Sequence, residues 1–349
     1  MRAVTRTRVR ATSLGTMTYG FETLAIHAGQ EPDERTGAVI PPIFQTSTYA
    51  QDAVGAPRQG YEYARSGNPT RDALQECLAA LEGGRRGLAF ASGLAAEDTL
   101  LRTVCRPGDH VVIPDDAYGG TYRLFAKVAE RWGLSWTAAR ISDADAVRAA
   151  ITDRTKVIWV ETPTNPLLNI ADIAALAALA REHGARLVVD NTFASPYLQQ
   201  PISLGADVVV HSTTKYVGGH SDVVGGALVV ADPGLGDELA YNQNAMGAIN
   251  GPFDAWLTLR GCARWASAWT GTATTPSGSP RTCTATPRSS GCTTQGCPST
   301  PATRPRRSRC EGSAGWCRSW PRAASSTPWR SATGPGSSCS PSRLAEWSH

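Results

Sequence analysis

The first 261 residues of this 349-residue chain hold only two cysteines, Cys77 and Cys105. So few exclude a disulfide scaffold there and fit a reducing, cytoplasmic setting. No apolar run is long enough for a membrane-spanning helix. Met1 to Arg10 carries four Arg with no apolar stretch behind it, so a secretory signal is not expected. The G-x-G-x-x-G fingerprint, the Walker A motif, the G-x-S-x-G elbow and the C-x-x-C pair are all missing. With them goes the sequence support for a dinucleotide site, a P-loop, a hydrolase elbow or a thiol redox pair. There is no internal repeat.

A second set of absences lies beyond Gly261. Residues 262–349 have no Ile, Val, Met, Phe, Tyr, Lys or Asp, and a single leucine, Leu344. Their 11 Arg against 2 Glu give a net of +9, which leaves −5 for residues 1–261. The chain's basic balance therefore says nothing about the partners of its body. A segment this poor in aliphatics cannot bury enough surface to offset its ordering entropy, so it is predicted disordered. It also holds seven of the nine Cys and six of the ten Trp. Those residues are rare in low-complexity tails but common when GC-rich DNA is read out of phase. The segment reads as out-of-frame translation; the alternative is an Arg-rich nucleic-acid-binding tail.

What remains is the text of a folded α/β protein. Pro69 suits a first helical position, Leu74, Cys77, Leu78 and Leu81 share one face, and Gly83-Gly84 ends the helix. Short apolar runs predict strands at Gly87–Ala91, His110–Ile113, Lys156–Val160, Arg186–Val189, Asp207–Val210 and Ala227–Val230. Helices are expected at Thr121–Trp132 and Ile170–His183. Nearly continuous apolar strands alternating with helices indicate a mostly parallel sheet covered on both faces. Ligands of such sheets sit at the carboxyl ends of the strands.

Three polar features follow predicted strands. Asp190 ends Arg186–Val189, where a carboxylate is costly unless paired. It reads as a salt-bridge partner or helix cap, or as the counter-charge for a protonated ring nitrogen. His211-Ser212-Thr213-Thr214-Lys215-Tyr216 follows Val208–Val210. The alternating hydroxyls of Ser212 and Thr214 suit a phosphate. Lys215, if held in a low-dielectric position, could condense with an aldehyde; alone it would read as a surface lysine. Ser92-Gly93-Leu94 opens a helix, where backbone N–H groups favour an anion; alone it would read as a cap. Together the three fit pyridoxal phosphate: an amine, a carboxylate for the ring nitrogen, and a phosphate cradle.

Longer motifs carry a resemblance. They are Tyr61-Glu62-Tyr63-Ala64-Arg65-Ser66-Gly67-Asn68-Pro69-Thr70, Asp115 to Thr121, Glu161-Thr162-Pro163-Thr164-Asn165-Pro166, Val189 to Ala194, His211 to Gly226 and Gly251-Pro252-Phe253-Asp254-Ala255. From about Tyr19 to Gly261 the chain resembles the Cys/Met-metabolism family of pyridoxal-phosphate enzymes, of the aspartate-aminotransferase fold type (fold type I). The resemblance implies that Lys215 binds the cofactor aldehyde and shuttles protons, and that Asp190 holds the ring nitrogen. It implies that Tyr118 stacks on the ring, with Thr192 beside it. Ser92, Gly93, Leu94, Ser212 and Thr214 would hold the phosphate. Tyr63 and Arg65 would reach the phosphate of a neighbouring subunit, which implies a dimer within a homotetramer. Asn165 and Arg123 would lie near the substrate, although Arg123 reads equally as a solvated helix charge. No metal, nucleic acid or membrane is expected as a partner.

The implied reaction is replacement of the γ-substituent of an O-acylhomoserine by cysteine, giving cystathionine. γ-Elimination from cystathionine and homoserine sulfhydrylation are the sister reactions. By the same resemblance, residues 1–16 are an extension, 17–75 an arm toward a neighbouring subunit, and 76–261 the large cofactor domain. The family's carboxy-terminal part supplies a smaller domain and an Arg for the substrate carboxylate, and residues 262–349 do not match it. An incomplete substrate site and impaired turnover are therefore expected; the alternative of another class is an inactive remnant.

Overall fold

The computed structural model describes residues 19–273, with side chains through 264. These residues fall within one unit, Met1–Arg281, of two into which the chain divides. The chain opens with α1 (Phe21–His27) and a two-stranded ribbon, β1 (Gln51–Ala53) and β2 (Ala56–Pro57). Next comes α2 (Pro69–Glu82), which starts where the proline predicts. Asn68 caps it, its side-chain oxygen accepting from Thr70 N at 3.0 Å and Arg71 N at 3.3 Å. Gly83 ends it at φ 69°, a left-handed conformation that disfavours residues with a Cβ.

The rest alternates as expected. The elements are β3 (Arg86–Phe90), α3 (Gly93–Val104), β4 (His110–Pro114), α4 (Gly119–Arg123), β5 (Ser135–Ala139), α5 (Ala144–Ala150), β6 (Thr155–Glu161) and α6 (Ile173–Glu182). They continue through β7 (Arg186–Asp190), α7 (Ser195–Leu198), β8 (Val208–His211), β9 (Gly226–Val230), α8 (Pro233–Met246) and α9 (Pro252–Ala273). Seven strands form one sheet in the order β3-β9-β8-β7-β6-β4-β5. Only β9 runs against its neighbours. That reversal brings the chain from the carboxyl end of β8 straight back into β9, so the loop carrying Lys215 stays at the strand ends.

Period-two alternation sorts the strand side chains between two covered faces. Leu88, Phe90, Val111, Ile113, Val157, Trp159, Val188, Val208, Val210 and Leu228 pack on the face shared with α3 and α8. On the other face, Val112, Ile158, Val160, Leu187 and Val189 meet α5 and α6. Beside them Ala89, Val209, Ala227 and Val229 meet α1, α2 and α9. The aliphatic runs that identified the strands are thus the sheet's double-sided core.

Three expectations need correction. The helix expected over Thr121–Trp132 is α4 followed by a π-helical turn, Leu124–Val128, and a 3-10 turn, Ala129–Trp132. The wide turn accommodates Phe125, packed edge-on against Trp159 at 5.9 Å. The strand β5 was not expected, because it is an edge strand with mostly exposed side chains and so has no apolar run. The boundary placed after Gly261 falls inside α9, which continues to Ala273. Cys262 is fully buried with Ala255 and Leu259 against α2. The remaining expectations for 262–349, including disorder and the incomplete substrate site, lie outside the described residues, as does the extension 1–16. No helix among the described residues is long and apolar enough to cross a membrane.

Candidate active site

Continuing the alternation past the strand ends sets the site on one face. Asp190 follows Val188, Glu161 follows Trp159 and Ser212 follows Val210, so all three belong to the face that carries α3. Glu161 and Asp190 are register partners at the carboxyl ends of β6 and β7. The start of α3 joins them: Ser92 caps the helix, its Oγ accepting from Ala95 N at 3.1 Å. A Cβ placed on Gly93 would lie 3.2 Å from the Ser212 Cβ. A Cβ on Gly226 would collide with the Ser92 carbonyl oxygen. Glycine at these two positions lets β9, β8 and the α3 N-terminus converge. Thr192 completes the join by accepting from Ser212 N at 2.9 Å.

Asp190 is 9% exposed, and its Oδ1 accepts from Thr192 N at 3.0 Å. Burial raises its pKa; the Thr192 hydrogen bonds and the nearby His211 oppose that shift. No Lys or Arg pairs with it among the described residues. Two further acids surround it. Glu161 Oε2 accepts from Tyr118 N at 2.7 Å and its Oε1 from Asn165 N at 2.9 Å. Burial, then the charge of Asp190, pushes Glu161 up to about 8 against those two bonds. Glu97, on α3, accepts from Thr121 Oγ1 at 3.1 Å. Burial, then Asp190, raises it well above the usual carboxylate range.

Three desolvated carboxyl groups with no Lys or Arg partner among the described residues call for positive charge between them. A protonated pyridine ring would meet that need, and the hydroxyls and N–H groups at the start of α3 would suit its phosphate. The residues present therefore fit pyridoxal phosphate.

The other expected residues are placed as follows. Tyr118 is 42% exposed at the start of α4, its ring free to be covered by a ligand. Asn165 is half-buried on the loop after β6, next to a cis bond to Pro166. Leu94 is exposed on the first turn of α3. Thr214 and Gly225 pair across the β8–β9 loop: the hydroxyl accepts from Gly225 N at 3.0 Å and donates to Gly225 O at 3.2 Å. Thr214 is thus also a loop clasp. Tyr63 and Arg65 are exposed and lie beside α8. The guanidinium of Arg65 lies 5.3 Å from the Tyr63 ring and its Nε donates to Asn244 of α8 at 3.1 Å. Arg123 is exposed at the end of α4. Lys215 requires a correction: it is exposed, not held in a low-dielectric position. It stands on the turn after β8, where its N–H donates to Ser212 O at 3.1 Å.

Sequence reasoning missed Glu161 and Glu97 as site residues. Glu161 carried the same signal as Asp190, a carboxylate ending an apolar strand. Glu97 sits one turn into a helix and gave no signal of its own. Arg71 was also missed: fully buried, it donates to Ala64 O at 2.8 Å and Arg65 O at 3.1 Å, and so shapes the loop that presents Tyr63 and Arg65. Among the described residues no cluster of His, Cys, Asp and Glu could hold a metal ion.

Residues 22–264 match the family described as Cys/Met metabolism PLP-dependent enzyme. The cystathionine gamma-synthase of Mycobacterium tuberculosis is 64% identical over 242 residues, 69% of this chain and 62% of that protein. The cystathionine beta-lyase of Coxiella burnetii is 53% identical over 243 residues, with the same coverage. The crystal structure of metB from Corynebacterium glutamicum superposes with a TM-score of 0.71 at 55% identity, covering 72% of this chain and 65% of that one. Cystathionine gamma synthase from Xanthomonas oryzae pv. oryzae, in complex with aminoacrylate and cysteine, gives 0.70 at 45% identity with the same coverage. This chain thus spans about 62% of the length of the Mycobacterium relatives it matches.

Proposed function

The chain belongs to the Cys/Met-metabolism family of PLP-dependent enzymes, of fold type I, and on that premise we propose a γ-replacement activity. Cysteine would displace the acyl group of an O-acylhomoserine to give cystathionine. The observation that carries the reading is Asp190: a buried carboxylate with no Lys or Arg partner among the described residues, beside an anion cradle and a lysine-bearing turn. The 64% identity to cystathionine gamma-synthases over 242 residues supports the substrate class.

When bound, pyridoxal phosphate supplies an electron sink for charge that develops on the substrate carbons. The protein's part is to hold and to move protons. Asp190 would hold the ring nitrogen and favour its protonated form by charge. Ser92, Gly93, Leu94, Ser212 and Thr214 receive the phosphate through hydroxyls and the N–H groups at the start of α3. Thr192 fixes the distance between the β7 and β8 ends. Tyr118 covers the ring, its backbone N–H tied to Glu161. Lys215 would hold the cofactor at its aldehyde carbon, and its Nζ, once released by the incoming substrate amine, would move a proton at the substrate Cα. Asn165 orients the ring edge, and Arg123 lies toward the substrate.

A second copy of the chain fits two observations. Tyr63 and Arg65 are exposed beside α8, and Lys215 and Tyr118 are exposed as well. In an assembly, Tyr63 and Arg65 of each subunit would reach its neighbour's phosphate and shield that lysine.

The test is a visible absorption spectrum of the full chain with added pyridoxal phosphate, with Lys215→Ala as control. Cystathionine formation from an O-acylhomoserine and cysteine is then assayed by mass spectrometry. A lysine-dependent band followed by cystathionine supports the whole reading. A band with pyruvate released from cystathionine, and none formed from acylhomoserine, would replace it by the lyase reaction of the Coxiella burnetii relative. No lysine-dependent band would end it.

A further inference from the structure

The same alternation that turns Asp190 and Ser212 toward the cofactor face turns their chain neighbours the other way. Asn191 and His211 lie on the far face, where α2 packs. There they meet one carboxylate. Glu82, the last residue of α2, is fully buried, and its Oε1 accepts from His211 Nε2 at 2.5 Å. The same oxygen accepts from Asn191 Nδ2 at 2.8 Å. Asn191 is closed from the other side by Gln199, whose Nε2 donates to the Asn191 Oδ1 at 2.9 Å. One oxygen atom therefore ties the end of β7 to the end of β8, directly behind the two residues that face the cofactor.

The network is not built for stability alone. Glu82 Oε2 and His211 Nδ1 are buried and have no hydrogen-bond partner among the described residues. A half-satisfied buried polar cluster is a poorer stabiliser than apolar packing at the same place. The helix around it is otherwise apolar on that face, with Leu74, Leu78 and Leu81.

We infer that Glu82 is a positioning residue of the cofactor site, setting the spacing of Asp190 and Ser212 through Asn191 and His211 from the opposite face of the sheet. The inference rests on the cofactor reading above. It has a specific chemical consequence. Both bonds fall on one oxygen, so a Gln at this position keeps both by its carbonyl oxygen. An Asp keeps the charge but withdraws the oxygen by one methylene.

The experiment compares Glu82→Gln, Glu82→Asp and the packing control Leu78→Ala in the full chain. Each is measured for pyridoxal-phosphate affinity and for amide hydrogen exchange without cofactor, under conditions where thermal melts show all to be folded. Glu82→Gln is expected to stay within about twofold of the parent, and Glu82→Asp to bind about tenfold more weakly. Exchange in Glu82→Asp should quicken selectively in peptides covering 188–192 and 209–214. Leu78→Ala should lower the melting temperature without that selectivity. The reverse order, with Asp retained and Gln impaired, would overturn positioning in favour of a charge effect. Exchange unchanged, or quickened evenly along the chain, would overturn it as well. A parent chain without a Lys215-dependent band would end the cofactor reading instead, and the exchange comparison would still decide whether Glu82 sets the strand ends.

Discussion

Glu161 and Asp190 stand opposite each other at the ends of adjacent parallel strands, two acids in register with no Lys or Arg paired to either among the described residues. Such an arrangement is unfavourable for the protein alone and becomes favourable when a cation enters. Ligand binding, stability and pH are therefore coupled at this pair.

The first consequence is a pH dependence. Glu161 titrates at about 8 in the folded chain, raised chiefly by burial, against an ordinary value of 4.5. The folded state then holds a proton that the unfolded state releases. Stability from this group is fully present below about pH 4.5 and is lost as pH rises toward 8. Asp190 and Glu97 shift in the same direction. Thermal melts of the cofactor-free chain from pH 5 to 8 should fall with rising pH more steeply than those of Glu161→Gln. Parallel curves would show that Glu161 does not carry this proton.

Asp190→Asn should separate stability from binding. An Asn retains an oxygen to accept from Thr192 N, and it removes a buried charge without a basic partner. The cofactor-free melting temperature should hold or rise, while pyridoxal-phosphate affinity drops by at least about tenfold, roughly 1.4 kcal/mol. A variant that loses stability and keeps its affinity would assign Asp190 to the fold.

Two glycines of the cradle should behave differently. In Gly226→Ala the new methyl collides with the Ser92 carbonyl, a backbone atom that cannot rotate away. A loss of about 2–4 kcal/mol in denaturant unfolding is expected. In Gly93→Ala the methyl meets the Ser212 Cβ at 3.2 Å, tight but adjustable. That variant should stay folded and bind inorganic phosphate and cofactor more weakly. Equal effects on folding would mean that the convergence at Ser92 is loose.

Cysteine accessibility reports on the last helix. Cys77 of α2 and Cys262 of α9 are fully buried, and a hydrogen bond to Cys262, then burial, drives the Cys77 thiol well above its usual range. Burial raises Cys105 to about 12. Alkylation mapped by mass spectrometry should leave these three unmodified until denaturant is added, because the reactive species is an accessible thiolate. Rapid labelling of Cys262 in native conditions would mean that α9 does not pack on α2 past Gly261.

Much of this was legible in the chain because its signals are local. Asn68-Pro69 and Gly83 start and stop α2 by cap chemistry within a few residues. Apolar runs such as Val208–Val210 mark strands wherever both sheet faces are covered, and β5 escaped because one edge strand does not need them. Asp190 and the Ser212-Thr214-Lys215 turn were visible because each directly follows such a run. Glu161 had the same form and was passed over, since its bonds reach Tyr118, 43 residues earlier.

The sequence by itself determined the strand and helix alphabet, the family, and the chemistry offered at the strand ends: an amine, a carboxylate and hydroxyls. Its information is local because caps and periodicity act over a few residues. Only the tertiary structure decided that Lys215 lies open on its turn and that Glu97 and Glu161 crowd Asp190. It alone set Glu82 on His211 across 129 residues of chain. Such partners are chosen by strand order and by which face a residue turns to, and those are settled when the sheet assembles.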